Sequence, residues 1–515
     1  MKENIRKKIF SKLNTLSLSI SKKLIKNLNK KKDFDQRNYY AKSFLAASLI
    51  KINKFKYEKI IRLLVKRISQ EKKGKLYHYE FNRYALNDAF GSKKALKILN
   101  TNKFTYGKVA NWSILRVICR FNESKKLNLI SLLELIRVKI LFQTNFGIQD
   151  QKGLFSTQYN FFSLALLNEI RSQSVNLFSN NWFNQSLSNC IHQINSNGVT
   201  NLIGRGSLQL FGYASLIYLL SFYSNNLKIL KLLEIIIDTV ARQINYQSVI
   251  PVVLFKKKKF KEKKYKGTPN LQKKDKLGWY SYNNEPDYSA FALLMFLKAK
   301  DNLSNNFKTK KIKIENNSGF RKIDKEIYCY KKNKILIYFG IQRIKNNECC
   351  LFNPIIINGQ QFLLPPLGGE QSKNSLNNNT DFGLPEISNY KNKILEIKKR
   401  NIYNLGKNSI EQFIDFEKKV HLTRTIKILS KEIHIFDKII NYTKQPFNLI
   451  DFKFIQENFL KYDLKLKSNI FKNKLYNIIK KKNFSYSTNN LCNYSEIKTL
   501  LSPKEKLFLK YVIKI

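Results

Sequence analysis

The spacing of hydrophobic positions changes once along the chain. From Tyr39 to about Lys300 apolar residues recur every three to four positions, which is the spacing of one face of an α-helix. Segments with this spacing predict helices near residues 44–50, 60–65, 83–98, 111–121, 128–142, 159–172, 182–194, 208–223, 226–244 and 287–299. Two of them, 159–170 and 208–220, are apolar nearly all round, as expected of helices buried on most sides. The pattern predicts an (α/α) toroid, an incomplete α/α barrel; a solenoid is the alternative, but no fixed repeat supports it.

After about residue 305 the apolar residues alternate with polar ones, which is the period of a β-strand. Segments 327–330 and 335–339 flank a lysine-rich turn, and Asn358-Gly359 is a hairpin signal. Segments 421–428 and 433–439 also alternate, so the region predicts an antiparallel β-sandwich. The predicted fold class is therefore α+β, with three parts: a basic tail or helix (1–38), the toroid (39–310) and the sandwich (311–515). Segments 255–276 and 365–388 are predicted loops; the first is solvated or clamps an anionic ligand.

Charge is the most unusual feature of the composition. Lys and Arg total 94 against 36 Asp and Glu, a net charge of +58. This charge permits a nucleic acid, an anionic membrane or an acidic polysaccharide as partner, yet it equally fits a general bias toward Lys, Asn and Ile. The six cysteines and four histidines lack metal-ligand spacing, so we expect reduced thiols and neither a metal nor another cofactor.

The first residues lack the apolar core of a signal peptide, and no apolar run approaches the ~20 residues that span a bilayer. A cytoplasmic location is the default expectation, and association with the periplasm or cell surface stays open. A basic helix lying on a membrane is a lesser alternative for this segment.

Polar side chains gather at three predicted helix starts, 155–160, 204–213 and 279–288. Helix starts favour anions, and Tyr and Trp rings stack on sugars, so the three stretches are expected to line one mouth of the toroid. Helix capping by Asp287 and burial of Tyr213 and Tyr288 in the core are the structural alternatives. The stretch around Asn82 and Arg83 is similar, although a salt bridge between helices is the favoured role there, and neighbouring His78 is read as structural. The expected substrate-binding residues are Gln158, Gln209, Trp279, Tyr280, Tyr282, Asn283, Asn82 and Arg83.

The order of a helical domain and then a sandwich resembles the heparinase II/III-like and alginate-lyase-like polysaccharide lyases. Residues 153–167 are similar to that family's polar turn, Tyr-His pair and apolar helix, and residues 80–85 and 204–213 are also similar. Residues 424–426 and 433–437 resemble its sandwich strands. The likeness covers about residues 40–460.

The resemblance implies a lyase that cleaves an acidic, uronate-containing polysaccharide by β-elimination. Arg205, Asn160 or Gln209 would neutralise the uronate carboxylate. A tyrosine would exchange the protons, with Arg205 lowering its pKa. The catalytic residues implied in this way are Tyr159, Asn160, Arg205, Tyr213 and Tyr288. Asn160 stands where the family pattern has His, which leaves either a tyrosine-only mechanism or a lost activity.

Two other functions remain open at this point. A non-catalytic polysaccharide-binding or surface-polysaccharide assembly protein would keep the cleft without the base. A nucleic-acid binder would follow from the charge, although the chain contains no recognised nucleic-acid module.

Overall fold

The protein forms two compact units, and each is described by itself. The computed structural model describes residues 2–29, 40–71, 77–105, 107, 109–153, 155–174, 177–200, 209–247, 254, 285–304, 318–344, 347–355, 357–358, 361–362, 385–430, 432–455, 462–469, 477–485 and 490–514. One unit holds the described residues up to Ser304 and is mainly helical, and the other holds those from Ser318 onward and is built of strands. The chain is thus α+β, as the change of hydrophobic period predicted.

The helical unit begins with a long basic helix and continues through helices of eight to 21 residues, apart from one short turn of helix. The helices are α1 (Lys2–Asn29), α2 (Ala41–Asn53), α3 (Glu58–Gln70), α4 (Tyr79–Phe90), α5 (Ser92–Leu99), α6 (Ala110–Ser124), α7 (Leu129–Phe142), α8 (Thr157–Glu169), α9 (Arg171–Ser174), α10 (Asn180–His192), α11 (Leu210–Ser221), α12 (Leu227–Gln247) and α13 (Glu285–Ser304). A two-stranded hairpin, β1 (Gln143–Thr144) and β2 (Gly147–Ile148), lies between α7 and α8.

Six of these helices pack against one another in a closed cycle, and we call them the ring helices: α2, α4, α6, α8, α11 and α13. Each packs against the next, and α13 packs against α2. Outside them, α3 packs on α2, α5 on α4, α7 on α6, and α12 on α11. Every residue of α11 is buried, as are residues 157–168 of α8, which agrees with their nearly all-round apolar sequences.

Phenylalanine side chains fill the centre of the ring, and we call this set the aromatic plug: Phe44, Phe81, Phe162, Phe211 and Phe291. All five are at most 4% exposed. The Phe211 and Phe291 rings stack with centroids 4.0 Å apart, and Phe162 meets each of them edge-on at 5.1 Å. Because aromatic side chains bury a large apolar area, the plug contributes much of the core energy of this unit.

The predicted helix over 83–98 is wrong in one respect, because the structure divides it into α4 and α5. Gly91 lies between them with φ +76°, a backbone conformation that favours glycine and ends α4. The basic N-terminal segment, which the sequence left as a tail or a helix, contains the helix α1. Its buried residues, Ile9, Leu13, Leu16, Ile20, Leu24 and Leu28, recur at helical spacing. This face packs α1 against α12 and α13.

The second unit consists of antiparallel sheets. The strands are β3 (Gly319–Asp324), β4 (Ile327–Lys332), β5 (Ile335–Ile344), β6 (Asn347–Ile355), β7 (Ile357–Asn358), β8 (Gln361–Phe362), β9 (Glu386–Ser388), β10 (Ile397–Gly406), β11 (Ser409–Phe416), β12 (Val420–Ile428), β13 (Glu432–Asn441), β14 (Phe447–Ile455), β15 (Tyr462–Ser468), β16 (Asn477–Ser485), β17 (Asn490–Leu501) and β18 (Lys506–Lys514). A six-stranded sheet has the order β10-β11-β12-β13-β18-β15, and two four-stranded sheets have the orders β16-β17-β14-β9 and β3-β4-β5-β6.

The hairpins predicted from alternation are confirmed. Lys332 pairs with Ile335 across the lysine-rich turn, and Asn358 of β7 pairs with Gln361 of β8. One hydrophobic cluster draws residues from all three larger sheets, for example Ile337, Leu422 and Leu449. The predicted loops at 255–276 and 365–388 lie outside the described residues, apart from residues 385–388.

Candidate functional site

The ring helices all begin at the same end of the ring. The Asp287 carboxylate at the start of α13 accepts hydrogen bonds from the backbone N–H groups of Tyr40 (2.9 Å) and Ala41 (2.7 Å) at the start of α2. Gln158 at the start of α8 donates to Gln209, which immediately precedes α11, at 3.2 Å. Contacts of this kind join the first turns of neighbouring helices, so the ring helices run parallel. Their unsatisfied N–H groups and positive dipole ends face one surface and favour anions there.

Five aromatic or imidazole side chains lie at this end of the cycle of ring helices, and we call them the N-terminal rim: Tyr40, His78, Trp112, Tyr159 and Tyr288. They come from five different ring helices or the residues just before them. The His78 ring lies 5.8 Å from Tyr40 and 5.1 Å from Trp112, centroid to centroid.

The rim rests on the aromatic plug. Tyr159 and Tyr288 both contact Phe211, at 5.5 and 5.4 Å between ring centroids. His78 and Trp112 both contact Phe81 of the plug, at 5.9 and 6.3 Å. The plug therefore supports the rim as a rigid apolar base, which limits the rotamers that its aromatic side chains can adopt.

Three carboxamides accompany the rim. Asn111 and Gln158 are each the second residue of a ring helix, and Gln209 immediately precedes one. All three are at most 1% exposed. In the described part of the chain neither side-chain polar atom of Asn111 has a hydrogen-bond partner, and Oε1 of Gln158 has none. Buried polar atoms are nearly always paired, so this unused capacity is the kind that a polar ligand or ordered water satisfies.

The fixed charges close to these first turns are already compensated. Glu80 in α4 accepts from Arg116 at 3.1 Å and from the backbone N–H of Thr105 at 3.0 Å. Lys42 in α2 forms an ion pair with Glu71. The Asp287 carboxylate already occupies the positive end of α2, so the remaining preference for negative ligands comes from the dipoles of the other ring helices.

Metal and thiol chemistry receive no support from the described residues. Among them, no group of three or more His, Cys, Asp or Glu side chains is arranged to hold a metal ion. Burial raises the pKa of the Cys119, Cys190 and Cys329 thiols, which disfavours the thiolate form that acts as a nucleophile. Over the same residues, no helix combines the length and apolar character needed to cross a bilayer.

Four of the residues expected from sequence lie together at this end: Tyr159, Tyr288, Gln158 and Gln209. Asn160 points elsewhere although it follows Tyr159. Its Oδ1 accepts from the backbone N–H of Ile148 at 2.8 Å and its Nδ2 donates to Sγ of Cys190 at 3.5 Å. The carboxamide of Asn160 therefore fastens α8 to the β1–β2 hairpin and to α10.

Tyr213 also has a structural position. Its hydroxyl donates to the backbone carbonyl of Thr200 and accepts from the Thr200 N–H, both at 3.0 Å, and the side chain is fully buried. Burial raises the pKa of Tyr213, which is the opposite direction from the one that a proton-abstracting tyrosine needs. We therefore revise the expectation for Tyr213 and leave it, with Asn160, out of the proposed reaction.

The remaining expected residues divide into two groups. Asn82 accepts from the hydroxyl of Ser43 at 2.6 Å and donates to a backbone carbonyl, and Arg83 forms an ion pair with Glu123. These contacts give the interhelix role that sequence favoured for this stretch. Arg205, Trp279, Tyr280, Tyr282 and Asn283 lie outside the described residues.

Sequence reasoning missed four residues of this end: Tyr40, His78, Asn111 and Trp112. A usable signal was present, because an aromatic or imidazole ring at a helix start is repeatedly followed by a plug phenylalanine three or four residues later. The pairs are Tyr40 and Phe44, His78 and Phe81, Tyr159 and Phe162, and Tyr288 and Phe291. This spacing places both rings of a pair on one helix face, one turn apart.

Comparison with known proteins gives a fold but no sequence relative, since no family model and no curated protein matches the chain. The chondroitin AC lyase of Streptomyces coelicolor A3, solved with chondroitin sulphate, matches with a TM-score of 0.50 and 7% identity over 100% of this chain and 82% of that one. A heparan sulfate lyase HepC mutant from Pedobacter heparinus matches with a TM-score of 0.34 and 11% identity over 84% and 75% of the two chains. The likeness that the sequence predicted is therefore confirmed at the level of fold: this chain is similar to a polysaccharide lyase along its whole length.

Proposed function

We propose that the chain is a polysaccharide lyase that cleaves an acidic, uronate-containing polysaccharide at the N-terminal rim. In this proposal the ring helices form an (α/α) toroid and the second unit is an antiparallel β-sandwich. One observation is the main support for the proposal. Buried carboxamides with unused hydrogen-bonding atoms, Asn111 and Gln158, begin ring helices at the same end as His78, Tyr159 and Tyr288.

Each group has a task that its chemistry fits. The side-chain N–H group of Asn111 would bind the uronate carboxylate and stabilise the negative charge that develops as C5 loses its proton. The unused Oε1 of Gln158 is an acceptor and would bind a sugar hydroxyl. Aromatic faces at Trp112 and Tyr288 would stack on sugar rings. The first-turn N–H groups of the ring helices add a positive potential for the polyanion.

The reaction is an elimination that requires a base and an acid. The base takes the C5 proton, the C5–H electron pair becomes the C4–C5 double bond, and the C4–O bond breaks toward the leaving oxygen, which then receives a proton. We assign the base to His78, because imidazole is the side chain most often used for this role near neutral pH. Tyr159 is assigned as the acid that protonates the leaving oxygen. This assignment replaces the histidine that the family pattern has at the position of Asn160.

The test is incubation with chondroitin sulphate, heparan sulphate, hyaluronan and alginate while the ultraviolet absorbance of the unsaturated uronate is followed. The wild-type chain is expected to produce it with at least one polymer. His78→Gln and Tyr159→Phe are each expected to lower the rate by about a hundredfold or more, since general acid–base groups contribute about that much. Tyr403→Phe, at a half-exposed position of the strand unit, is the matched control and should leave the rate unchanged.

A second candidate is a non-catalytic polysaccharide-binding protein. The buried, fully engaged carboxamide of Asn160 favours it, since the residue at that position contacts Ile148 and Cys190 instead of the rim. Binding of these polymers without any absorbance increase would contradict the lyase proposal and support this one. Tight binding to nucleic acid that weakens steeply with salt, with no polysaccharide binding, would contradict both.

A further inference from the structure

Helix α7 exposes more large apolar side chains than it buries. Leu129, Ile130, Leu133 and Ile140 are 71, 56, 56 and 73% exposed, whereas the side that packs on α6 includes a serine, Ser131. An outer helix of a globular protein ordinarily has the reverse arrangement, with its polar residues outside. A contiguous exposed apolar face of this kind marks a surface that binds a protein, a ligand or a membrane.

Cations flank this apolar face. Lys125 and Lys126 are exposed and lie just before α7, and Lys139 is exposed beside Ile140. The acidic residue of the helix, Glu134, is turned to the ring, where it accepts from Arg116 at 2.8 Å. The outer side of α7 therefore combines apolar side chains with uncompensated positive charge.

The loop between α2 and α3 also combines an exposed apolar side chain with lysines, and it lies at the end of the ring where the α6–α7 loop lies. The α2–α3 loop carries Phe55, which is 87% exposed and lies between the exposed Lys54 and Lys56. Because the ring helices run parallel, α2 and α6 both end opposite the N-terminal rim, with α4 packed between them in the ring. Helix α7 begins at this end and runs back along α6, since the segment that follows it reaches the start of α6 through the bond from Ala110 N–H to the Asp150 carbonyl. The α2–α3 loop, the α6–α7 loop and the outer side of α7 are together called the basic apolar face below.

We propose that the basic apolar face binds the surface of an anionic lipid bilayer. Apolar side chains bordered by lysines are what an interfacial helix needs: the apolar groups enter the boundary of the acyl chains while the cations meet lipid phosphates. A second copy of this chain is a poor occupant, since it would bring the same lysines together on a protein of net charge +58.

The experiment is flotation of the full chain with vesicles of phosphatidylcholine alone or of phosphatidylcholine and phosphatidylglycerol. The wild type is expected to float only with the anionic vesicles. Combined Ile130→Gln, Leu133→Gln and Ile140→Gln should weaken partitioning about 30-fold or more, through loss of apolar insertion. Lys125→Gln with Lys126→Gln should weaken it about 30-fold. These positions are exposed, so the variants are expected to fold normally, which the unchanged circular dichroism of each would document.

Matched variants of the strand unit separate a specific face from general charge attraction. Leu405→Gln with Leu500→Gln removes similarly exposed apolar groups, and Lys391→Gln with Lys399→Gln removes exposed charge. Each control pair should change partitioning by less than about threefold. Equal losses in the control and test variants would overturn the proposal, as would failure of the wild type to float.

A fluorescent reporter tests contact directly. Leu133→Trp should gain emission that brominated lipids in the anionic vesicles quench, and Leu405→Trp should gain emission that they leave unquenched. Quenching of both or neither overturns the assignment of this face. If the chain is instead a dimer that the triple glutamine variant converts to monomer, the face is a contact between two copies and the lipid proposal is wrong.

Discussion

Glu169 at the end of α8 ties four ring helices together through one oxygen atom. Its Oε1 accepts hydrogen bonds from the Tyr84 hydroxyl of α4, the Tyr218 hydroxyl of α11 at 2.9 Å, and Nζ of Lys298 in α13 at 3.1 Å. Burial first and the Glu169 carboxylate second raise the pKa of Tyr84 and Tyr218, so both remain donors over the whole working range. Glu169→Gln removes the charge while it keeps the shape of the side chain.

We expect Glu169→Gln to destabilise the helical unit by about 3–5 kcal/mol. A hydrogen bond to a charged group contributes roughly 1.5–3 kcal/mol net, and a glutamine oxygen retains part of that. The larger cost arises at Lys298, which is 11% exposed and would keep only the Asp88 carboxylate, at 3.7 Å, as a carboxylate partner. Tyr84→Phe removes one donor and leaves the ion pair, so it should cost about 1–2 kcal/mol.

The assay is urea unfolding followed by tryptophan fluorescence. All three tryptophans precede residue 304, so their emission reports the helical unit and is separate from unfolding of the strands. Glu58→Gln is the matched control, because Glu58 pairs with Arg62 on the exposed side of α3 and should change stability by less than about 0.5 kcal/mol. A Glu169→Gln variant within about 1 kcal/mol of wild type would refute the reasoning that Glu169 joins the ring.

Three further outcomes are expected. Phe211→Ala should lower the stability of the helical unit by about 3–5 kcal/mol, measured by the same urea assay, and a cost below about 1 kcal/mol would mean that the plug is not close-packed. Burial opposes ionisation of Glu134, but the hydrogen bonds and charge of Arg116 outweigh it and lower the pKa of the carboxyl group. The stability advantage of wild type over Glu134→Gln should therefore be complete above pH 4.5 and disappear as the pH falls through the folded-state pKa below that value. A thermal-unfolding series that shows the same difference at every pH would contradict this. Arg424→Met should destabilise the strand unit by about 3–5 kcal/mol because the buried Asp437 carboxylate loses two bonds of 2.7 and 2.6 Å, and a double variant with Asp437→Leu should recover part of that in far-ultraviolet circular dichroism melts.

Much of the fold follows from local sequence. The all-round apolar character of 159–170 and 208–220 predicted the two most buried ring helices, because a helix without a polar face must be covered on all sides. Alternation at 421–428 and 433–439 predicted two strands that pair along their whole length, from Val420 with Asn441 to Ile428 with Ile433. Such patterns can be recognised because the period of the backbone, 3.6 residues in a helix and two in a strand, determines which side chains share the buried face.

The candidate site was predictable in part. Tyr159 and Tyr288 were recognised because they stand in polar stretches that open a helix. His78 was taken as structural because it stands next to a stretch assigned to a salt bridge between helices, where a histidine is more often structural than catalytic. Asn160 and Tyr213 were taken as chemical because the family resemblance implied it, but adjacent positions on a helix are about 100° apart and face different surroundings.

The sequence by itself determined where the chain is helical, where it is extended and which faces are apolar. Only the tertiary structure decided that α13 meets α2 and thus closes the ring, and that His78 reaches the same end as Tyr288. It also decided that the outer side of α7 is left uncovered. The physical reason is that hydrophobic periodicity reflects residues a few positions apart in the sequence. Closure of the ring instead joins the first turns of helices about 250 residues apart, such as the Asp287 carboxylate and the Tyr40 amide. A local pattern shows that a helix face is buried, but it does not specify which distant helix covers that face.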